Sequence, residues 1–529
     1  MQKQNSKRPR VFKKHRSNRT MAEAFNTREL TASLGEDVPK FPIDDRPRTI
    51  NDLPKELLVS VFEAVEDQTW VRRTVPLVCK EWADLYRTRD ASPLHETLEV
   101  DFRKEVEVAR CATQRRGRRF PVVHASRVVS WAERRAGSVR KLYLVGGYPE
   151  TFEEFSSEDL GTLVAIVGPS LTELDADCGL DELDQEPFWK SLRASVAPAG
   201  LLRSLVVRGF LADVPESDVE PLGQLAGSLE ELVLTVSKSG DGPASQLSCF
   251  PESFCDLTEL RRLELSSHSR ITAIPAKISS LKKLEVIELR GGGLSSLPKE
   301  LGELSGLTKL DLVGNKNLGN APQDEAFPAE LRKLKSLRHL DLSVCGLRAV
   351  PAFAGELVSL ERLGLYMNRN LGNAPQQEAF PTELGKMKSL RHLDLSVCGL
   401  RAVPAFVGEL ESLRHLDLSD NENLGNVPQD EAFPAELGKM KSLRALVLAS
   451  GGLRTVPAFV GELKSLEILD LSYNNRQIYA TLDILIKDYH RLREVRLRTG
   501  LLSPPQTLAH SVAFEAKLLA KNPNAQVDY

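Results

Sequence analysis

Three short strings place an imidazole two residues before a carboxylate: His339-Leu340-Asp341, His392-Leu393-Asp394 and His415-Leu416-Asp417. Imidazole titrates near neutrality and ligates metals, so proton transfer and metal binding are the chemistries to test first. The spacing argues against both. His392 and His415 fall on successive units of a repeat, yet no third histidine or cysteine completes a ligand set at that level, and no metal is expected. Cys345 and Cys398 hold one position two units apart, roughly 9.6 Å across two strand spacings of ~4.8 Å, too far for a disulfide. The sequence contains no GxxxxGK phosphate loop, no GxSxG elbow and no HExxH helix. Neither an enzyme nor a cofactor is expected.

These residues are positioned by a tandem duplication. Residues 334–386 return at 387–439 with 41 identities in 53 positions. Each copy holds two shorter units of the form LxxLxLxx(N/C)xL, seen at Leu337, Leu340, Leu342, Cys345 and Leu347 and again at Leu360, Leu363, Leu365, Asn368 and Leu371, with a period alternating 23 and 30. The pattern resembles that of leucine-rich repeats, in which each unit gives one short strand and buries its leucines against the next unit. The fold class is therefore α/β: a leucine-rich-repeat solenoid, a horseshoe with a parallel concave sheet. About fourteen strands are expected, with regular ones centred on Leu263, Ile287, Leu310, Leu340, Leu363, Leu393, Leu416, Leu446, Leu469 and Val495. Irregular repeats fill 94–255, regular ones 256–498, and a C-terminal cap follows at 499–529, where Leu508, Val512 and Leu519 at helical spacing are expected to cover the last repeat.

Asn315, Asn368, Asn421 and Asn474 are expected to bond backbone carbonyls from a buried turn, with Cys345 and Cys398 as smaller structural substitutes. The inserted loop NLGNAPQDEAFP at Asn317, copied with changes at Asn370 and Asn423, reads as a tolerated insertion whose phenylalanine packs inward.

Between the leucines, one column reads Arg262, Val286, Lys309, His339, Arg362, His392, His415, and the next Glu264, Glu288, Asp311, Asp341, Gly364, Asp394, Asp417. A cationic row beside an anionic row neutralises itself, which disfavours nucleic acid and favours a polar protein surface. The two 53-residue copies differ at 12 positions, six of them between Glu361 and Arg369. The leucines and Asn368 are kept, while Arg362, Gly364, Tyr366 and Met367 stand where the later copy has His415, Asp417, Ser419 and Asp420. Tyr, Arg and Met are enriched in interface cores, and Gly364 is expected to admit a partner close to the backbone. The candidate contact residues for a protein substrate are these four with Arg290, Lys309, His339 and His392.

A net charge of -3 in 529 residues gives no global pull toward nucleic acid or membrane. No apolar run approaches the ~20 residues of a membrane helix. Residues 1–49 read as a disordered basic tail and linker, with eight Lys or Arg in the first twenty positions. The cluster from Lys7 to Arg16 suits nuclear import, so residence in cytoplasm, nucleus or both is expected.

Residues 50–93 read as a compact helical segment. Leu53-Pro54 with Glu56, Leu57 and Phe62, then Val78-Cys79-Lys80 with Trp82, resembles an F-box, and an F-box directly before leucine-rich repeats is a known family architecture. The resemblance implies docking of a Skp-family adaptor and its cullin complex through Leu53, Pro54, Leu57, Leu58, Val61, Phe62, Val78 and Trp82. The chain would then be the substrate-recognition subunit of a ubiquitin ligase. The alternative is a ligase-independent scaffold resembling plant intracellular repeat proteins.

Overall fold

A computed structural model of the chain describes residues 97–101, 129–130, 132–134, 137–145, 157–177, 186–210, 219–236, 247–486, 492–498, 513–520, 522–523 and 525–528. The basic tail and the F-box-like residues from Leu53 to Trp82 lie outside the described residues. Two compact units are distinguished, residues 1–98 with 137–141 and residues 99–136 with 142–529. The second carries the regular repeats.

The described strands form a sixteen-stranded sheet in sequence order. They are β1 (Thr97–Asp101), β2 (Lys141–Val145), β3 (Glu173–Asp177), β4 (Ser204–Phe210), β5 (Glu231–Val236), β6 (Arg262–Ser266), β7 (Val286–Glu288), β8 (Lys309–Asp311), β9 (His339–Asp341), β10 (Arg362–Gly364), β11 (His392–Asp394), β12 (His415–Asp417), β13 (Ala445–Val447), β14 (Ile468–Asp470), β15 (Glu494–Arg496) and β16 (Gln526–Asp528). From β3 onward neighbours pair in parallel. All ten strand centres expected from the leucine spacing lie in β6 to β15. Alternation explains it: Leu337, Leu340 and Leu342 point into the core, each at most 1% exposed, and the residues between them face out.

The return segments differ along the array. Helices α1 (Ser157–Val167) and α2 (Glu186–Ser191) fill them in the longer early repeats. Regular repeats use 3-10 turns that open on a proline, as at Pro351 before Ala352–Glu356 and Pro404 before Ala405–Glu409. Proline fixes φ and gives up an N–H that the turn does not need, so a 23-residue unit can close.

Buried amides tie the repeats together. Asn368 donates to the carbonyls of Leu342 (2.9 Å) and Leu365 (2.8 Å) and accepts from the N–H of Cys345 (3.1 Å) and Leu347 (3.0 Å). Asn421 and Asn474 make the same four bonds one and two double repeats later. Asn315 donates to Leu289 and Leu312 and accepts from Leu294. At Cys345 and Cys398 only the thiol is offered, each Sγ 3.2 Å from a carbonyl of the preceding repeat. Burial pushes both thiols up to about 12, consistent with a structural role. His268 takes the asparagine position farther upstream: its Nδ1 accepts from Leu247 N–H and its Nε2 faces Leu234 O at 3.1 Å.

The inserted loops are stitching rather than slack. Ala379 O accepts from Val350 of the preceding repeat (2.8 Å), while Gln376 Nε2 donates to Ala402 O of the following one (3.0 Å). Ala326 with Gln323 and Ala432 with Gln429 do the same. Phe327, Phe380 and Phe433 are each 5% exposed and stack on Phe353, Phe406 and Phe459. Gly372 packs so close that a Cβ there would meet Gly399 O at 1.9 Å.

The C-terminal end departs from expectation. Residues 513–520 are helical, but Leu519 is 36% exposed and Phe514 and Leu518 face inward instead. The sheet is then extended by β16, paired in parallel with β15. Leu508 and Val512 lie outside the described residues.

Replacing Asn368 by alanine strands two buried N–H groups and two carbonyls, at about 1–3 kcal/mol for each group that water cannot reach. Amide exchange at Cys345 and Leu347 should accelerate at least tenfold relative to Asn370→Ala, an exposed control. Equal protection in both variants would refute the clamp.

Candidate functional site

Strand register fixes the outward-facing columns. Arg262, Val286, Lys309, His339, Arg362, His392 and His415 lie side by side, and Glu264, Glu288, Asp311, Asp341, Gly364, Asp394 and Asp417 form the column beside them. The two rows read from the sequence are thus adjacent in space. What the sequence did not disclose is that they divide into two chemically different halves.

On β6 to β8 the charges are spent on one another. Glu288 and Asp311 are 3% and 4% exposed, not open carboxylates as their column position suggested. Lys309 bonds Glu288 directly, and Arg262 Nη2 reaches the same carboxylate at 3.1 Å. Arg290 places Nε and Nη2 2.9 and 2.6 Å from Asp311 Oδ2. Burial alone would raise Glu288, but the Lys309 hydrogen bond and the Arg262 and Arg290 charges outweigh it and hold the carboxyl below its ordinary 4.5. Arg290 and Lys309 are therefore committed to an internal network rather than held open for a partner.

From β9 to β12 the acids turn to their own backbone. Asp341 Oδ1 accepts from Ser343 N–H, and Asp394 and Asp417 accept likewise from Ser396 and Ser419, each at 2.9 Å. This local turn ends the strand. Burial raises Asp341 and Asp394 despite those bonds, and burial, reinforced by Arg362, lowers His339 and His392. The His392 and His415 rings lie 5.7 Å apart, centroid to centroid. His339 and His392 are half-buried and disfavour a second positive charge beside Arg362.

β10 breaks the pattern. Gly364 has no carboxylate to turn inward, yet the space it leaves is not open. Asp341 leans into it, so that a Cβ on Gly364 would lie 2.6 Å from Asp341 Oδ1. Close approach of a partner to the backbone, expected from the sequence, is blocked there by that carboxylate. Arg362 is exposed and pairs with no carboxylate among the described residues. Tyr366 and Met367 are 39% and 37% exposed, among the few large apolar side chains that are. Arg362, Tyr366 and Met367 thus remain as an outward group, with His339 and His392 half-buried on either side of Arg362. Val344 and Val397 went unnoticed: they occupy, one repeat to each side, the position of Met367. Aligning the units on the residue before Cys345, Asn368 and Cys398 would have found them.

A family model described as a leucine-rich repeat region matches residues 232–380. The chain is 30% identical over 238 residues to the TMV resistance protein N of Nicotiana glutinosa, covering 41% of this chain and 18% of that protein. It is 34% identical over 230 residues to the volume-regulated anion channel subunit LRRC8E of Homo sapiens, covering 42% and 27% respectively. The chain thus spans about a fifth to a quarter of the length of these curated relatives. Among solved structures, a leucine-rich-repeat protein of Leptospira interrogans aligns at 21% identity and TM-score 0.40, covering 69% of this chain and 97% of that one. The ectodomain of the Arabidopsis thaliana receptor kinase GASSHO1/SCHENGEN3, solved in complex with CASPARIAN STRIP INTEGRITY FACTOR 2, aligns at 20% identity and TM-score 0.34, covering 74% and 46%. The chain carries a leucine-rich-repeat region built as an α/β solenoid.

Lys309→Met removes the closest cation from the buried Glu288 carboxylate, which should cost about 1–3 kcal/mol at pH 7. Because pairing lowers the folded-state pKa, its contribution is present above the ordinary value of 4.5 and is lost as pH falls through the folded value. The stability gap between wild type and variant, read from denaturant midpoints, should therefore be full at pH 7 and shrink below about pH 4.5. A gap that stays constant down to pH 3 would contradict the pairing.

Proposed function

We propose that this chain is the substrate-recognition subunit of a Skp-cullin-F-box ubiquitin ligase, its strand face selecting a protein and residues 50–93 docking the adaptor. One observation carries the recognition half. While Leu360, Leu363, Leu365 and Asn368 are held constant between the two copies, β10 and its turn exchange the polar set of the sister repeat for an exposed arginine, tyrosine and methionine. Six of the twelve differences crowd between Glu361 and Arg369, and a change there to arginine, tyrosine and methionine favours contact with a protein. The docking half rests on the resemblance of Leu53-Pro54, Leu57, Phe62 and Trp82 to an F-box.

The second reading is a ligase-independent scaffold in which the repeats bind a signalling partner and residues 51–88 merely cap them. Similarity to a plant resistance protein favours it. Both readings make the strand face a protein-binding surface and differ only in what the N-terminal segment does.

Replacing Leu53, Pro54 and Leu57 together by alanine decides between them. Interface anchors of this kind cost on the order of 2 kcal/mol each when truncated. Pull-down with a purified Skp-family adaptor should fall by more than tenfold while the thermal melt of the repeats is unchanged. Adaptor binding at wild-type strength, or no binding by either protein, would leave the scaffold reading.

A further inference from the structure

At the turn that follows each regular strand the backbone adopts positive φ, including Val344 (58°), Met367 (59°) and Val397 (55°). The sheet imposes this. Val344 N–H donates to Tyr366 O at 2.7 Å, Met367 N–H to Ser396 O at 3.0 Å and Val397 N–H to Ser419 O at 2.9 Å, each bond carrying the ladder three residues past the strand. Gly314 and Asp420 make the same bond at φ 84° and 55°. The conformation is thus fixed by the fold, and only the side chain varies. Glycine fits it without strain, and aspartate tolerates it. A β-branched residue is the worst choice, because its Cβ substituents crowd the backbone in the left-handed region. Upstream turns carry Ser267, Gly291 and Gly314, and downstream ones Asp420, Ser450 and Tyr473. Two valines flanking a methionine at three consecutive turns are therefore a costly apolar strip, half-exposed, with Tyr366 beside it.

The exposed charge around the strip is mostly cationic, with Asp420 at the next turn downstream as the acid beside it. Arg348, Arg362, Arg369 and Arg401 are exposed, and none pairs with a carboxylate among the described residues. The nearby acids Asp341 and Asp394 are turned to the amides of Ser343 and Ser396. Resting on the reading that the strand face recognises a protein, we propose that Val344, Met367 and Val397 dock an extended acidic segment of another protein. Its aliphatic or aromatic side chain lies on the strip, and its carboxylates reach the surrounding arginines. The outer two turns are about 10 Å apart, a span of about three extended residues, so the apolar anchor and its acids fall within one short motif. The chain's own Lys7 to Arg16 segment has the wrong sign to be the occupant.

The test uses asparagine, which tolerates positive φ. The triple variant Val344→Asn, Met367→Asn, Val397→Asn should melt no lower than wild type, because strain is relieved, so any loss of binding is not unfolding. A displayed library of random dodecapeptides is panned on the full chain, and the peptides obtained are measured by fluorescence anisotropy against wild type, the triple variant and Arg362→Glu. The expected result is enrichment of acidic residues around one apolar residue, with binding weakened at least tenfold by either change. Enriched peptides that lose affinity for Arg362→Glu but not for the triple variant overturn the strip and leave the strand-face reading standing. Peptides without acidic character overturn the stated partner. A library that yields no specific binder overturns both the strip and the reading beneath it.

Discussion

A buried asparagine amide has two hydrogens to donate and an oxygen to satisfy, and inside a leucine core only backbone can oblige. Each of Asn315, Asn368, Asn421 and Asn474 meets that demand by reaching back across one repeat. The position it reaches over is small: Gly292, Cys345, Cys398 or Gly451. A Cβ on Gly292 would already stand 2.6 Å from Asn315 Oδ1. The unit of bonding is consequently a pair of repeats, and both the asparagines and the small residues recur every 53 positions from Gly292 to Asn474. That is the length of the duplicated block, and the inserted loops, which bond a repeat on either side, share the same period. Copying a whole pair preserves every amide's partners.

Because register is held by these buried bonds, the outward residues of the strands are free to differ. The array uses that freedom unevenly. On β6 to β8, arginine and lysine neutralise carboxylates that are almost out of water. On β9, β11 and β12, aspartate closes the local turn. β10 and its turn carry an arginine without a carboxylate partner among the described residues together with the exposed Tyr366 and Met367, none of which the fold uses for its own charge pairing.

Much of this was legible in the sequence because leucine spacing maps directly onto strand centres, and register then dictates which residues share a column. Other features depend on quantities that spacing does not carry. β16 has a single apolar residue, Val527, and so gave no strand signal. The cap helix was phased from Leu508 and Val512, which turned Leu519 inward on paper while Phe514 and Leu518 hold that place. The depth of Glu288 and Asp311 is set by long side chains from neighbouring strands, Arg262, Arg290 and Lys309, whose reach no column reveals. Gly364 looked like open backbone, but the neighbouring Asp341 fills the gap. The valines at 344 and 397 are ordinary in composition and notable only for the φ their turns impose.

The central claim is that protein recognition is focused on β10 and its flanking turns. A photo-crosslinking residue placed at 366, and in parallel at 358, tests it most directly, since Val358 is 60% exposed and lies outside the strands. Irradiated in its own cells, the chain labelled at 366 should form discrete adducts with a partner whose crosslinked peptide is acidic, whereas the chain labelled at 358 should form none above background. Adducts of equal yield from both positions, or from 358 alone, would contradict the account.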